Sequence, residues 1–127
     1  AKISMGTTEP SKSGIGFTLG DPTYTAPEQM KAQPVSPRTD IYSMGIIIYH
    51  LLTGHPPYTG NNILEIMAAH LDSPYPQIEG SVPGLPKGID HVIAKCMAKN
   101  PEDRYATVSQ LKQSLTELLD APRVPTS

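Results

Sequence analysis

Residues Gly20-Asp21-Pro22-Thr23-Tyr24-Thr25-Ala26-Pro27-Glu28 decide how this chain is read. The stretch joins two regions of opposite character. Before it, residues 1–19 carry Thr7, Thr8, Ser11, Ser13 and Thr18 among Gly6, Pro10, Gly14 and Gly16, the composition of a mobile loop without hydrophobic periodicity. After it, segments of helical spacing follow one another as far as Leu119. Pro27 suits the first position of a short helix over 27–32, where its missing N–H costs nothing, and Gln33-Pro34-Val35-Ser36-Pro37 ends that helix.

The strongest helical signal comes next. Ser36 is placed to cap it, Pro37 to open it and Gly54 to stop it. Ile41, Met44, Ile47, Ile48, Leu51 and Leu52 recur at helical spacing, while Tyr42, Ile46 and Tyr49 add apolar surface on other sides, so a helix buried nearly all round is expected. The run Ile46-Ile47-Ile48 favours a strand by propensity, but the distance between the capping signals is too long for a typical strand.

Three further helices are expected. Asn62 and Glu65 form a capping-box pattern ahead of Ile63, Ile66, Met67 and Leu71. Residues 72–88 hold too many Pro and Gly for a regular element. A helix over 89–98 places Ile89, Val92, Ile93, Cys96 and Met97 on one face. Thr107 and Gln110 form a second capping box for a last helix with Val108, Leu111, Leu115, Leu118 and Leu119 on its face. Residues 120–127, with Pro122 and Pro125, read as linker or tail.

Composition removes several classes of function. With 127 residues, 38% hydrophobic and 17% charged, the chain can bury one modest core and is not a disordered segment. A net charge of −2 without a basic run argues against nucleic acid or an anionic membrane as partner. The longest apolar run, 44–52, contains His50 and falls far short of the ~20 residues that span a bilayer. No secretory signal pattern opens the chain, which starts at Ala1 and is expected to be a piece of a longer protein. One cysteine, Cys96, excludes an internal disulfide, fits a reducing, cytoplasmic setting, and on its apolar helix face reads as a core thiol. His50, His55, His70 and His91 lack ligand spacing, so no metal site is expected, and Gly14-Ile15-Gly16 is too short for a phosphate loop.

The remaining signal lies in the order of motifs. Ala1-Lys2 looks like the pair that commonly follows D-F-G-x, and Gly20 to Glu28 matches G-T-P-x-Y-x-A-P-E apart from Asp21. Asp40-Ile41-Tyr42-Ser43-Met44-Gly45 matches D-x-Y-S-x-G. Leu52-Thr53-Gly54-His55-Pro56-Pro57-Tyr58 and Lys99-Asn100-Pro101-Glu102-Asp103-Arg104 match L-T-G-x-x-P-F/Y and K-N/D-P-x-x-R. In this order and spacing the chain resembles the C-terminal half of a eukaryotic-type Ser/Thr protein kinase domain, most like its bacterial members, from Ala1 to about Leu119.

The resemblance implies a mainly α fold, the helical C-lobe subdomain of a protein-kinase-like domain preceded by a flexible activation loop. It divides the chain into an activation segment, 1–28, and a helical subdomain, 29–119. The parent would transfer the ATP γ-phosphoryl group to Ser or Thr of protein substrates, using ATP and Mg2+. The motifs for the phosphate-binding lysine, the catalytic loop and the metal-binding Asp do not occur in residues 1–127. The chain alone is therefore expected to contain no catalytic residue, to bind no cofactor and to be inactive, its partners being the missing N-lobe and catalytic loop. An alternative reading, a pseudokinase lobe or helical interaction module, stays open, as does a dimer through surface the missing half would cover.

Individual residues take roles from the same resemblance. Leu19, Gly20, Asp21, Pro22, Tyr24 and Thr25 would receive the substrate peptide, and Thr7, Thr8, Ser11, Ser13 and Thr18 are candidate phosphorylation sites, Ser13 and Thr18 foremost. Ala26, Pro27, Glu28, Asp40, Gly45 and Arg104 would be structural, with Glu28 and Arg104 bridged beneath the activation segment. A carboxylate and a guanidinium can pair bidentately, and once desolvated neither tolerates loss of the other. Asp40 gains from the helix dipole in any case; its family counterpart also accepts hydrogen bonds from the catalytic-loop backbone. Asp21 stands where the family usually has Thr, and a second carboxylate beside the catalytic aspartate would raise one pKa or draw in a cation.

Overall fold

The computed structural model describes residues 22–120, which form α-helices joined by loops, with no strand among them. The order is α1 (Pro27–Met30), α2 (Pro37–Thr53), α3 (Ile63–Asp72), α4 (Ile89–Cys96), one 3-10 turn (Pro101–Asp103) and α5 (Val108–Asp120).

The ends of α2 follow from its sequence. Ser36 Oγ accepts the Arg38 N–H, and the Ser36 N–H donates to Thr39 Oγ1, so two terminal donors are satisfied reciprocally. At the other end Gly54 takes φ +86°, a left-handed conformation that costs glycine little, and its N–H donates to His50 O. Asn62 caps α3 by accepting the Glu65 N–H, but Glu65 reaches back one residue further than expected, to the Asn61 N–H. α5 shows the same offset: Thr107 Oγ1 accepts from Gln110 N, and Gln110 accepts from Ala106 N.

α2 is the axis, but not in the expected way. Its buried face is Ile41, Tyr42, Gly45, Ile46 and Tyr49, together with Thr39. Of the stripe read as its core face, Ile41 is buried, Met44, Ile48 and Leu52 are half-buried, and Ile47 and Leu51 lie 46% and 79% exposed. Two apolar stripes run along this helix, and periodicity cannot tell which one meets the neighbouring helices. α4 packs on the first stripe. α5 lies partly over the second, where Met44, Ile47, Ile48, Leu111, Leu115 and Leu119 line an open apolar groove of about 350 Å3.

The seam between α2 and α4 is tight because Gly45 has no side chain. A Cβ there would lie 2.6 Å from Cys96 Cβ and 3.0 Å from Met97 Cγ. The face expected for α4, Ile89, Val92, Ile93, Cys96 and Met97, is buried throughout. Burial pushes the Cys96 thiol up to about 12. On α5 only Leu111 of the expected face is fully buried, while Val108 and Leu119 remain exposed.

Polar groups brace the core. The Tyr42 hydroxyl and His70 Nδ1, both buried, are 2.8 Å apart, and the Tyr58 ring meets His70 edge-on. The Pro-rich segment before α4 is tied down by a carboxylate exchange. Asp90 accepts from Tyr75 Oη at 2.5 Å and from the N–H groups of Ile78 and Glu79, while Glu79 accepts from the N–H groups of Gly88 and Asp90. These bonds satisfy donors at the start of α4 that have no partner within the helix.

Candidate functional site

Pro22 to Glu28 starts buried, surfaces at Tyr24 and returns to the core at Ala26. Pro22 is fully buried, and the Thr25 N–H donates to Pro22 O at 3.0 Å, closing a turn. Tyr24 projects outward, 38% exposed. Ser43 Oγ donates to Tyr24 O at 2.6 Å, and the Tyr24 hydroxyl lies 2.8 Å from His50 Nδ1. The two rings stack, with planes 12° apart. Ser43 and His50 are two helical turns apart on one face of α2, so one helix face grips Tyr24 by both its backbone and its side chain.

Ala26 is fully buried, and its N–H donates to Gln29 Oε1, which caps α1 in place of the side chain Ala26 lacks. Pro27 opens α1, as its fixed φ allows. Glu28 follows, 3% exposed, and meets Arg104, also 3% exposed, from across the subdomain. Arg104 Nη1 donates to Oε2 at 2.7 Å and Nη2 to Oε1 at 2.8 Å, a bidentate pair. The guanidinium's other N–H groups go to Ala98 O, Arg38 O and Lys99 O, and its face lies over the Tyr42 ring at 4.9 Å. Every donor of the fork is used.

Glu28 takes one more bond, from Thr39 Oγ1 to Oε2 at 2.7 Å. Burial alone would raise the Glu28 pKa, but the Arg104 and Thr39 hydrogen bonds outweigh it and hold the group below its ordinary value. The carboxylate is thus kept ionised inside the core. Beside it opens a pocket of about 300 Å3 lined by Glu28, Lys31, Gln33, Lys99, Asn100 and Pro101. Lys99 Nζ sits over the Tyr58 ring and donates to Tyr58 Oη and Ala69 O, and burial lowers its pKa to about 8.

The structure brings together Ala26, Pro27, Glu28 and Arg104, and sets Pro22, Tyr24 and Thr25 just ahead of them. Gly45 lies apart, in the α2–α4 seam, and Asp40 is exposed on the first turn of α2. Leu19, Gly20 and Asp21 lie outside the described residues, as do Thr7, Thr8, Ser11, Ser13 and Thr18. Sequence reasoning missed Thr39, Ser43, His50 and Lys99. Thr39 carried a signal, since it stands three residues after the cap Ser36, where a side chain reaches back. Ser43 was visible inside its motif, but nothing in the sequence directs His50 to Tyr24.

Among the described residues no three His, Cys, Asp or Glu side chains gather to hold a metal ion. No described helix is long and apolar enough to cross a membrane.

Comparison with known proteins agrees with this architecture. The chain is similar to the Ser/Thr protein kinase PknH of Mycobacterium tuberculosis, 38% identical over 120 residues, which is 94% of this chain and 19% of that protein. PknL of the same organism is 36% identical over 115 residues, 91% of this chain and 29% of the relative. PknE is 41% identical over 109 residues, 86% and 19%. This chain therefore spans a fifth to under a third of these relatives. Among solved structures, the twitchin kinase region from C. elegans superposes with a TM-score of 0.65 at 25% identity, covering 82% of this chain and 18% of that one. The protein kinase domain family matches residues 6–116, and the chain, mainly helical and built around the Glu28–Arg104 bridge, belongs to that family.

Proposed function

We propose that the protein containing this chain transfers the ATP γ-phosphoryl group to Ser or Thr hydroxyls of protein substrates. In this reading residues 1–28 form the activation segment, 29–119 the helical subdomain and 120–127 a tail, and Leu19 to Thr25 receive the substrate peptide. The observation that carries it is the anchoring of this stretch. Tyr24 is held at both ends by α2, and the following Ala26-Pro27-Glu28 is fixed in the core by Arg104 and Thr39. A peptide-binding surface needs such rigidity, because catalysis requires the acceptor hydroxyl to be positioned closely.

ATP and Mg2+ would be held by parts of the domain outside residues 22–120, in the cytoplasm. Ile47 and Leu51 on α2 are exposed, a face that either the rest of the parent domain or a second copy would cover. Light scattering on the complete domain separates the two, a dimer favouring the second. The similarity to proteins named Ser/Thr kinases supports catalysis over a pseudokinase reading.

The test is phosphotransfer from labelled ATP to a protein substrate by the complete domain, with mass spectrometry locating self-phosphorylation at Ser13 or Thr18. Inactivity of the complete domain, restored by Asp21→Thr, would locate a lesion at Asp21. Inactivity in both forms would favour the interaction module. Phosphotransfer by the 127-residue chain alone would overturn the division of labour proposed here.

A further inference from the structure

Between the end of α1 and the turn over 99–101 lies a pocket of about 300 Å3, lined mainly by polar residues. Ala32 takes φ +55°, in the left-handed region, and the Gln33 N–H donates to Glu28 O at 2.8 Å. This tight turn brings Lys31 and Gln33 to the pocket, where they meet Lys99 and Asn100. We propose that the pocket binds the phosphoryl group of a phosphorylated Ser or Thr side chain. The inference goes beyond phosphotransfer and does not depend on it.

The one acid on the pocket wall is already engaged. Arg104 binds both Glu28 oxygens and Thr39 binds one of them, so the cationic groups set the pocket's sign. The Lys31 ammonium and the Gln33 amide make no hydrogen bond or ion pair with any described residue. Lys99 is half-buried, and its Nζ donates to Tyr58 Oη and Ala69 O, which leaves one of three donors unused. Asn100 Oδ1 accepts the Glu102 N–H, so its NH2 is the end left over. A phosphoryl group carries ~1.5–2 negative charges and three acceptor oxygens, which two ammonium groups and two amides match. A carboxylate, with a single charge, would leave one lysine unmatched. A nucleotide would find no aromatic ring on these walls, and the volume lies at the low end of the ~300–1,000 Å3 usual for small-molecule pockets. Lys99 also has no counter-ion within ion-pair distance among the described residues. Burial lowers its pKa to about 8, with Arg104 acting in the same sense and Asp72 on α3 opposing both. A bound anion would favour the charged form.

The experiment is calorimetry on the complete domain, dephosphorylated and with its nucleotide site filled by Mg-ADP. The probes are a short phosphoserine peptide and the same peptide with Ser or Glu in its place. The phosphopeptide is expected to bind about tenfold tighter than either, the scale of a hydrogen bond to a charged group. Lys31→Glu, at an exposed position, and Lys99→Met should each weaken it about tenfold. Proton uptake separates contact from a structural role. At about pH 8.5 the phosphate, with a second pKa of ~6, is already a dianion, so uptake on binding reports the recharging of Lys99. The dependence of binding heat on buffer ionisation enthalpy reads it, and Lys99→Met should abolish it. The self-phosphorylated domain names the source of the phosphate, and either result supports the site. Added peptide is excluded when the chain's own phosphate fills the pocket, and still binds when the phosphate belongs to another polypeptide. Equal affinity for the Ser or Glu peptide, affinity unchanged in Lys31→Glu, or no proton uptake in the unsubstituted domain would overturn the inference and leave the kinase reading intact. An inactive domain that still binds the phosphopeptide would keep the pocket and lose that reading.

Discussion

Thr39 and Arg104 meet on a single oxygen: each donates to Glu28 Oε2 at 2.7 Å. One comes from the first turn of α2 and the other from the turn before α5, so a single buried carboxylate ties the Pro22–Glu28 stretch to two distant parts of the subdomain. With Thr39 Oγ1 also accepting the Ser36 N–H, the cap of α2 and the ion pair form one network. Such networks lose more than the sum of their bonds when a member is removed.

Arg104→Ala in the complete domain should lower stability by about 3–5 kcal/mol, because it leaves Glu28 ionised and unpaired in the core. Arg104→Lys should recover only a small part, since an ammonium cannot reproduce the planar five-donor fork. Urea unfolding reads both. A melting temperature unchanged in Arg104→Ala would mean that the pair is solvated.

Gly45→Ala should cost about 1–3 kcal/mol by overpacking the α2–α4 seam. The nearest atom is Cys96 Cβ, so adding Cys96→Ala should give no relief, whereas Cys96→Gly should couple favourably with Gly45→Ala in a double-mutant cycle. Additive single effects would show that the two helices separate freely.

Acid should unfold the subdomain through two carboxylates. Burial disfavours charge on Asp90, but the bonds from Tyr75, Ile78 and Glu79 outweigh it and lower its pKa, as Arg104 and Thr39 do for Glu28. A folded pKa below the unfolded one gives stability that is complete above the unfolded value, about 4, and is lost as pH falls through the folded value. Asp90→Asn should lower stability at neutral pH and flatten the acid limb in urea titrations at stepped pH. A limb as steep as before would count against Asp90.

Alkali should bring out Lys99. Its folded pKa, about 8, lies below the ordinary lysine value, so between the two the unfolded chain binds the extra proton and this group's contribution rises with pH. Cys96, with its thiol pushed up to about 12, contributes with the opposite sign over much of the same range. The difference between the unsubstituted protein and Lys99→Met isolates the lysine: it should shift in favour of the unsubstituted protein as pH rises from about 8 to 10. A difference constant over that range would place Lys99 in water.

The parts of the fold legible beforehand were those encoded locally. Ser36 and Gly54 bound α2 because caps act within a few residues, and Glu28 could be matched to Arg104 because both stand in motifs with a fixed order. The inward face of α2 was not legible. Ile41 and Ile46 are as apolar in sequence as Ile47 and Leu51, and only the placement of α4 against Gly45 separates them. Asp90 and Glu79 were equally hidden, since their exchange depends on the path of a Pro-rich loop that has no periodicity to read. His50 looked like one histidine of four until the fold set it against Tyr24.

The Gly45–Cys96 approach has a practical corollary. Cys96 is the chain's single cysteine and is fully buried where α2 and α4 touch. A thiol reagent can reach it only when that seam opens, so the rate of modification measures the frequency of opening. The protein carries its own reporter for the separation of its two central helices, and no label need be engineered to use it.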